Sequence, residues 1–208
     1  MTNDFDRPSA SAVAAIAGYP AANIGDAQDR LNLMSASIKT QWTGARCAGP
    51  AVTVYTREGD NLAIHRALDE VEVGDVLVIN GRGDGNRAVF GDLLAEICLA
   101  KGVAGVVIDG TIRDREAIAE VGLPTWATGV TPTGPTKNGP GVIGQSIACG
   151  GVVVSSGDII VADDDGVAVV APARLAEVTA KLATIDKFES ELRARIRATA
   201  HTTQSVLA

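Results

Sequence analysis

Residues 92–109 run out as a helix and back as a strand of matching length. The helix, 92–101, travels about 15 Å at 1.5 Å per residue. Gly102 is placed to end it, as glycine does where a helix needs a left-handed closing residue. The apolar strand that follows, 103–109, covers about 20 Å. Such a unit returns the chain to the level where the helix began, so residues 111–114 should lie beside Asp92. A buried strand is predicted before it at 76–80. After it come a second helix at 115–121, ended by Gly122 and Pro124, and a strand at 124–128. Helices alternating with apolar strands make the chain α/β.

The remaining pattern adds a short helix over 9–18 with Ser9 or Ser11 as cap. An extended segment is predicted at 45–55, where Pro50 suggests an edge or a bulge, and a helix at 62–71. Residues 129–141, GVTPTGPTKNGPG, should form an irregular surface loop. Short strands are expected at 142–147, 151–155, 158–161 and 167–170, the last two joined by a turn at Asp165-Gly166. A long helix should follow Pro172 to about Arg197. Its apolar seam is Leu175, Val178, Leu182, Ile185, Leu192 and Ile196, interrupted by Glu189.

With 208 residues, one domain with a substantial core is expected. Aromatics are 3%, so aliphatic side chains must fill that core. A net charge of −7 argues against a nucleic-acid binder. It leaves room for an anionic ligand at a local arginine or metal. Cys47, Cys98 and Cys149 are scattered and form no CxxC, which suits reduced thiols in a cytoplasmic protein. The polar start MTNDFDRPSA does not resemble a signal peptide, and no apolar run approaches the roughly 20 residues of a membrane span. His65 and His201 are the only histidines and no HExxH occurs, so a zinc site is not expected. A metal would take oxygen ligands, which favours Mg²⁺ or Mn²⁺.

Asp92, Arg113 and Asp114 are the candidate site. Two carboxylates and a guanidinium at that spacing could hold a divalent metal and the carboxylate of a small oxo acid. The amides of Leu93 and Leu94, at a helix start, would suit an anion. Each side chain also has a structural explanation: Asp92 and Asp114 as helix caps, Arg113 as a surface ion pair. The Gly81-x-Gly83-x-Gly85 loop with Asp109 faintly suggests a nucleotide or S-adenosylmethionine site. The run Asp163-Asp164-Asp165-Gly166 reads as a turn rather than a calcium loop.

The segment GDLLAEICLAKGVAGVVIDGTIRD, with its D-x20-R-D pattern, resembles the class II aldolases that cleave 4-hydroxy-4-methyl-2-oxoglutarate and 4-carboxy-4-hydroxy-2-oxoadipate. The regulator of ribonuclease activity A shares that superfamily. The resemblance runs from about residue 74 to 172. It implies a compact layered α/β domain spanning 1–208, with a swivelling β/β/α core and a long C-terminal helix, 172–200, at a subunit interface of a homotrimer or hexamer. It implies that Asp114 binds the metal directly and Asp92 through water. Arg113 would pair with the substrate's carboxylate and oxo group, and Gly91, Leu93 and Leu94 would bind the pyruvyl carboxylate. Glu189, or failing that Glu191, would come from a neighbouring subunit. The implied activity is pyruvate release from a 4-hydroxy-2-oxo acid, with oxaloacetate decarboxylation through the same enolate. The base would be a metal-ordered water, since no histidine is obviously placed for the role. The regulators usually lack the aspartate after the arginine, so Asp114 favours the enzyme over the non-enzymatic alternative.

Overall fold

The computed structural model describes residues 5–199. His201, residue 200 of the predicted C-terminal helix and the first four residues lie outside the described residues. In chain order come helices α1 (Ala10–Ala17) and α2 (Ala21–Ala27), strands β1 (Lys39–Thr40) and β2 (Cys47–Thr56), and helix α3 (Leu62–Ala67). Then follow β3 (Val76–Asn80), β4 (Ala88–Phe90), α4 (Asp92–Ala100), β5 (Gly105–Ile112), α5 (Arg115–Val121) and β6 (Thr125–Val130). The chain closes with β7 (Gly141–Ile143), β8 (Ile147–Cys149), β9 (Val152–Val154), β10 (Ile159–Asp163), β11 (Gly166–Val170), a 3-10 turn at Pro172–Arg174 and α6 (Leu175–Thr199).

The out-and-back unit forms as predicted. Gly102 closes α4 at φ +78°, a conformation glycine adopts without a Cβ penalty. Strands β3, β5 and β6 lie parallel, joined by α4 and α5. Continuous apolar strands are what a sheet covered on both faces requires. The return strand is longer than expected: β5 continues to Ile112, so the predicted loop at 111–114 shrinks to two residues. One reason is β4, which the sequence reading missed and which pairs with the end of β5 at Ala88 and Phe90.

The main sheet has nine strands, ordered β1-β6-β5-β3-β2-β10-β11, with β4 on β5 and β7 on β2. It curves into a nearly closed barrel. Alternation along the strands divides the core into three parts. Val76, Val78, Val107, Ile160 and Ala162 point into the barrel around fully buried Trp126. Leu77, Ile79, Val106 and Ile108 point outward beneath α3, α4 and α5. Ile159, Val161, Ala168 and Val170 point outward beneath α1, α2 and α6. The layers are thus helix, sheet, sheet and helix, the layered α/β class with a long C-terminal helix that was expected.

Pro50 is neither at a sheet edge nor a bulge, contrary to expectation. It lies mid-sheet, where β2 changes partners: residues up to Pro50 pair with β10, and those from Ala51 pair with β3. Proline lacks a ladder donor, and the handover is a place where one is not needed. The seam of α6 is buried only in its first half. Val178 and Leu182 are fully enclosed, whereas Ile196 is 45% exposed and neighbouring Phe188 is 63% exposed. Cys47, Cys98 and Cys149 are free thiols, each pushed up to about 12 by burial, so they remain protonated.

Candidate active site

The parallel strands set the location. Loops after β3 and β5 open at their carboxyl ends, where open α/β sheets leave a crevice. The amide of Arg113 donates to Phe90 O at 3.0 Å, tying the end of β5 to the residue just before Gly91, the N-cap of α4. Gly91 is the pivot. A Cβ there would lie 2.8 Å from Asp114 Oδ2 and 3.2 Å from Arg113 Cγ and Nε. Any larger residue would push the two side chains off the helix start.

Asp92, Arg113 and Asp114 therefore converge. Arg113 and Asp92 line a cleft of about 300 Å³, and Asp92 and Asp114 line an adjoining open hollow of about 650 Å³. Asp92 is the wall between them. Neither aspartate makes a side-chain cap: Gly91 occupies the N-cap of α4, and Asp114, at the N-cap of α5, makes no capping hydrogen bond. Asp114 instead has φ 56° and ψ 38°, the left-handed region that few non-glycine residues adopt. That strain presents its carboxylate to Arg113, with Nε to Oδ2 at 3.1 Å. The pair uses Nε and leaves the two Nη groups for a ligand. Asp92 Oδ1 accepts the Leu93 amide at 2.8 Å, so of the two predicted anion donors Leu93 is already engaged. Leu94 lines the cleft, and helix geometry leaves its amide without an intrahelical acceptor.

Among the described residues no group of three His, Cys, Asp or Glu could enclose a metal. Asp114 Oδ1 and Asp92 Oδ2 are the carboxylate oxygens not committed to Arg113 or Leu93. One or two carboxylates with water and ligand oxygens is the arrangement Mg²⁺ favours, and this donor set fits it. Glu189 does not reach the cleft within its own chain. It pairs with Arg193 at 2.9 Å and accepts from Asn23 at 3.4 Å.

Part of the cleft's lining was not foreseen. Asn61, the N-cap residue of α3, and His65, within α3, line the cleft with Lys137 from the 131–140 loop. The sequence reading had no histidine obviously placed for the role of base; His65 lines the cleft. Asn61 is 4% exposed and its Oδ1 has no partner; His65 Nε2 is likewise buried and unpartnered. A buried polar atom left unpaired costs about 1–3 kcal/mol. Burial, and then the charge of Lys137, hold His65 below its ordinary value, which favours the neutral imidazole. The i, i+4 spacing of Asn61 and His65 was the available signal.

Asp60 holds Lys137's loop in place. Fully buried, its carboxylate accepts from Asn138 N at 2.6 Å, Thr136 Oγ1 at 2.8 Å and Leu62 N at 3.0 Å. Burial alone would raise its pKa; these donations outweigh that and lower it. Its contribution is therefore present above the ordinary carboxylate range and lost as pH falls through the depressed value. Asp60→Ala should cost about 3 kcal/mol or more of unfolding free energy, since charged hydrogen bonds are lost in a buried place. Denaturant unfolding should show that gap at pH 7 and a narrowing below about pH 4. An equal gap at both pH values would disprove the charged role.

The glycine loop is structural. Gly81 and Gly83 amides donate to Asp109 O, and Asp109 Oδ2 accepts from Gly150 N at 2.9 Å. Asp109 is thus committed to the protein rather than to a ribose. Asp163 and Asp164 accept from Ala21 and Gly44 amides and organise the β10–β11 turn, as the turn reading expected.

A model of the RraA-like family, described as Aldolase/RraA, matches residues 21–169. A protein of Halalkalibacterium halodurans, provisionally named 4-hydroxy-4-methyl-2-oxoglutarate aldolase, is 41% identical over 151 residues, 73% of this chain and 72% of that one. Streptomyces coelicolor RraAS2, described as an unusual member of the RNase ES inhibitor RraA family, is 31% identical. It superposes with a TM-score of 0.81 over 91% of this chain and 100% of its own. An uncharacterised protein of Pseudomonas syringae gives a TM-score of 0.85 at 25% identity, over 98% and 96% of the two chains.

Proposed function

The chain belongs to the RraA-like family, and on that premise we propose that it is a class II pyruvate aldolase. It would use a divalent metal, Mg²⁺ or Mn²⁺, to cleave 4-hydroxy-4-methyl-2-oxoglutarate-type acids to pyruvate, and would decarboxylate oxaloacetate through the same enolate. The observation that carries this is the meeting of one guanidinium and two carboxylates around Gly91 at the start of α4. The likeness to the H. halodurans protein supports it.

Breaking the bond between C3 and C4 of such an acid leaves an electron pair on C3 that must spread to the 2-oxo oxygen. The cation, held by Asp114 and through water by Asp92, would supply Lewis-acid polarisation of that oxygen. The Nη groups of Arg113 stabilise the negative charge as it develops, being fixed beforehand by the Nε contact with Asp114. The Leu94 amide adds a donor for the pyruvyl carboxylate at the positive end of α4. Lys137 offers a cation to the second carboxylate. Glu189 would join from a neighbouring subunit of a homotrimer or hexamer, its exposed helix half providing the contact.

Pyruvate release is the test, from 4-hydroxy-4-methyl-2-oxoglutarate and from oxaloacetate, each with Mg²⁺ and with EDTA. Release from both with Mg²⁺, and from neither with EDTA, is expected. No release from either substrate would discard the aldolase. The competing reading, a non-enzymatic regulator of a ribonuclease, draws on the likeness to S. coelicolor RraAS2. It predicts partner binding that Asp114→Ala leaves intact.

A further inference from the structure

Arg113 can stabilise developing charge only if its guanidinium is already in place when the bond breaks. The contact of its Nε with Asp114 fixes one side of the group. Its Nη1 faces the 131–140 loop. A Cβ on Gly134 would lie 3.1 Å from Nη1 and, its chain neighbours apart, would meet nothing else within 4 Å. Two sets of hydrogen bonds hold this stretch, one on each side of Gly134. Before it, the Thr131 amide donates to Ile112 O and the Ala88 amide donates to Thr133 O, both at 2.9 Å, which ties the loop to β5 and β4. After it, Thr136 exchanges main-chain bonds with Gly59 and Asn61. Asp60 Oδ2 adds two more, accepting from Thr136 Oγ1 at 2.8 Å and from Asn138 N at 2.6 Å. Asp60 is itself fixed. Its Oδ1 accepts the Leu62 amide at 3.0 Å, and its carbonyl accepts Thr56 Oγ1 at 2.7 Å, at the end of β2.

We propose that Asp60 is a positioning residue for catalysis: by seating Thr136 and Asn138 it sets where Gly134 meets the Arg113 guanidinium, without lining the cleft itself. The assignment rests on the aldolase reading and deepens it. Between Gly134 and Thr136 stands only Pro135, whose ring fixes φ. A shift at Thr136 therefore carries through to Gly134 and on to Nη1. Lys137, which lines the cleft, sits between the two residues that Asp60 holds, so it is placed by the same carboxylate. The loop thus spans from strands β4 and β5, next to Arg113 in the chain, to one buried anion at the start of α3. Glycine at 134 is what lets the chain pass this close to the guanidinium.

Asp60→Asn keeps the volume and removes the charge. Whichever way the new amide turns, its NH₂ faces a backbone N–H, that of Asn138 or that of Leu62, so one anchor is lost. The kcat for pyruvate release from 4-hydroxy-4-methyl-2-oxoglutarate should fall by about 10–10²-fold, the scale on which a small misplacement from a remote change acts. A double-mutant cycle separates positioning from general loosening. In an Arg113→Ala background the same substitution should cost kcat less than about twofold, since the group to be positioned is gone. An equal loss with and without Arg113 overturns the assignment, and so does wild-type kcat in Asp60→Asn. Gly134→Ala approaches the same contact from the other side and leaves the bonds of Asp60 alone. Position 134 is not among the left-handed glycines, and the guanidinium is the one group its Cβ would crowd, so this variant should fold normally. Its kcat should also fall, and the fall should vanish in the Arg113→Ala background. Wild-type kcat in Gly134→Ala would mean that the loop does not set the guanidinium, and overturns the assignment even if Asp60→Asn fails to fold. A wild-type protein that releases pyruvate from neither this substrate nor oxaloacetate is a distinct outcome. It removes the aldolase reading itself, and the role of Asp60 with it.

Discussion

Arg113→Ala is expected to slow pyruvate release by about 10²–10³-fold, some 3–4 kcal/mol of transition-state stabilisation, the usual loss for one preorganised donor. The same substitution should barely alter folding. The side chain is 42% exposed and its ion pair with Asp114 lies at the surface, where such pairs contribute about 0–1 kcal/mol. The two magnitudes separate the roles: an arginine that served only its surface ion pair would show little loss in either assay. Arg113→Lys should recover little, because an ammonium has no planar fork to hold two oxygens while a third nitrogen faces Asp114. Steady-state kinetics with a thermal melt of each variant checks this. Wild-type kcat in Arg113→Ala would remove Arg113 from the chemistry.

Asp114→Asn is expected to abolish metal-dependent turnover while leaving a folded protein. Asparagine is the informative replacement because it tolerates the left-handed backbone at this position nearly as well as aspartate. Alanine there would add backbone strain of about 1–2 kcal/mol and confuse lost chemistry with lost stability. Isothermal titration with Mg²⁺ or Mn²⁺ should show binding to the wild type and none to Asp114→Asn. Turnover should fall to the level of the EDTA-treated enzyme. Unchanged metal binding would place the cation elsewhere.

The α4–β5 unit and the meeting of Asp92 with Arg113 and Asp114 were legible in the sequence. They depend on local quantities: rise per residue, a glycine closing a helix, an apolar run. Pro50 was misjudged because its tolerance comes from a change of strand partner, which is a tertiary fact. β4 escaped because three residues carry too little periodicity to register. His65 was missed for a different reason. Its place in the cleft depends on the 131–140 loop crossing α3, and that crossing is held by Asp60, a residue with no motif around it. The seam of α6 was legible as a stripe, but its spacing could not say that only the first half packs into this chain's own core, against α1 and α2.

The handover at Pro50 has a consequence for how such a fold can diverge. Everything assigned to chemistry, Glu189 of a neighbouring subunit apart, belongs to the β3–β6 side of the barrel, with α3, α4 and the 131–140 loop. The β10–β11 side, with α1, α2 and the anchored half of α6, has its own core and none of the site residues assigned within this chain. A lineage could therefore discard catalysis by changing one or two polar residues near Gly91 and keep an intact shell. Descendants of that kind would be free to become adaptor proteins, their ancestry visible in the barrel and their new purpose confined to the surface. One architecture can in this way serve both trades named in the family's description.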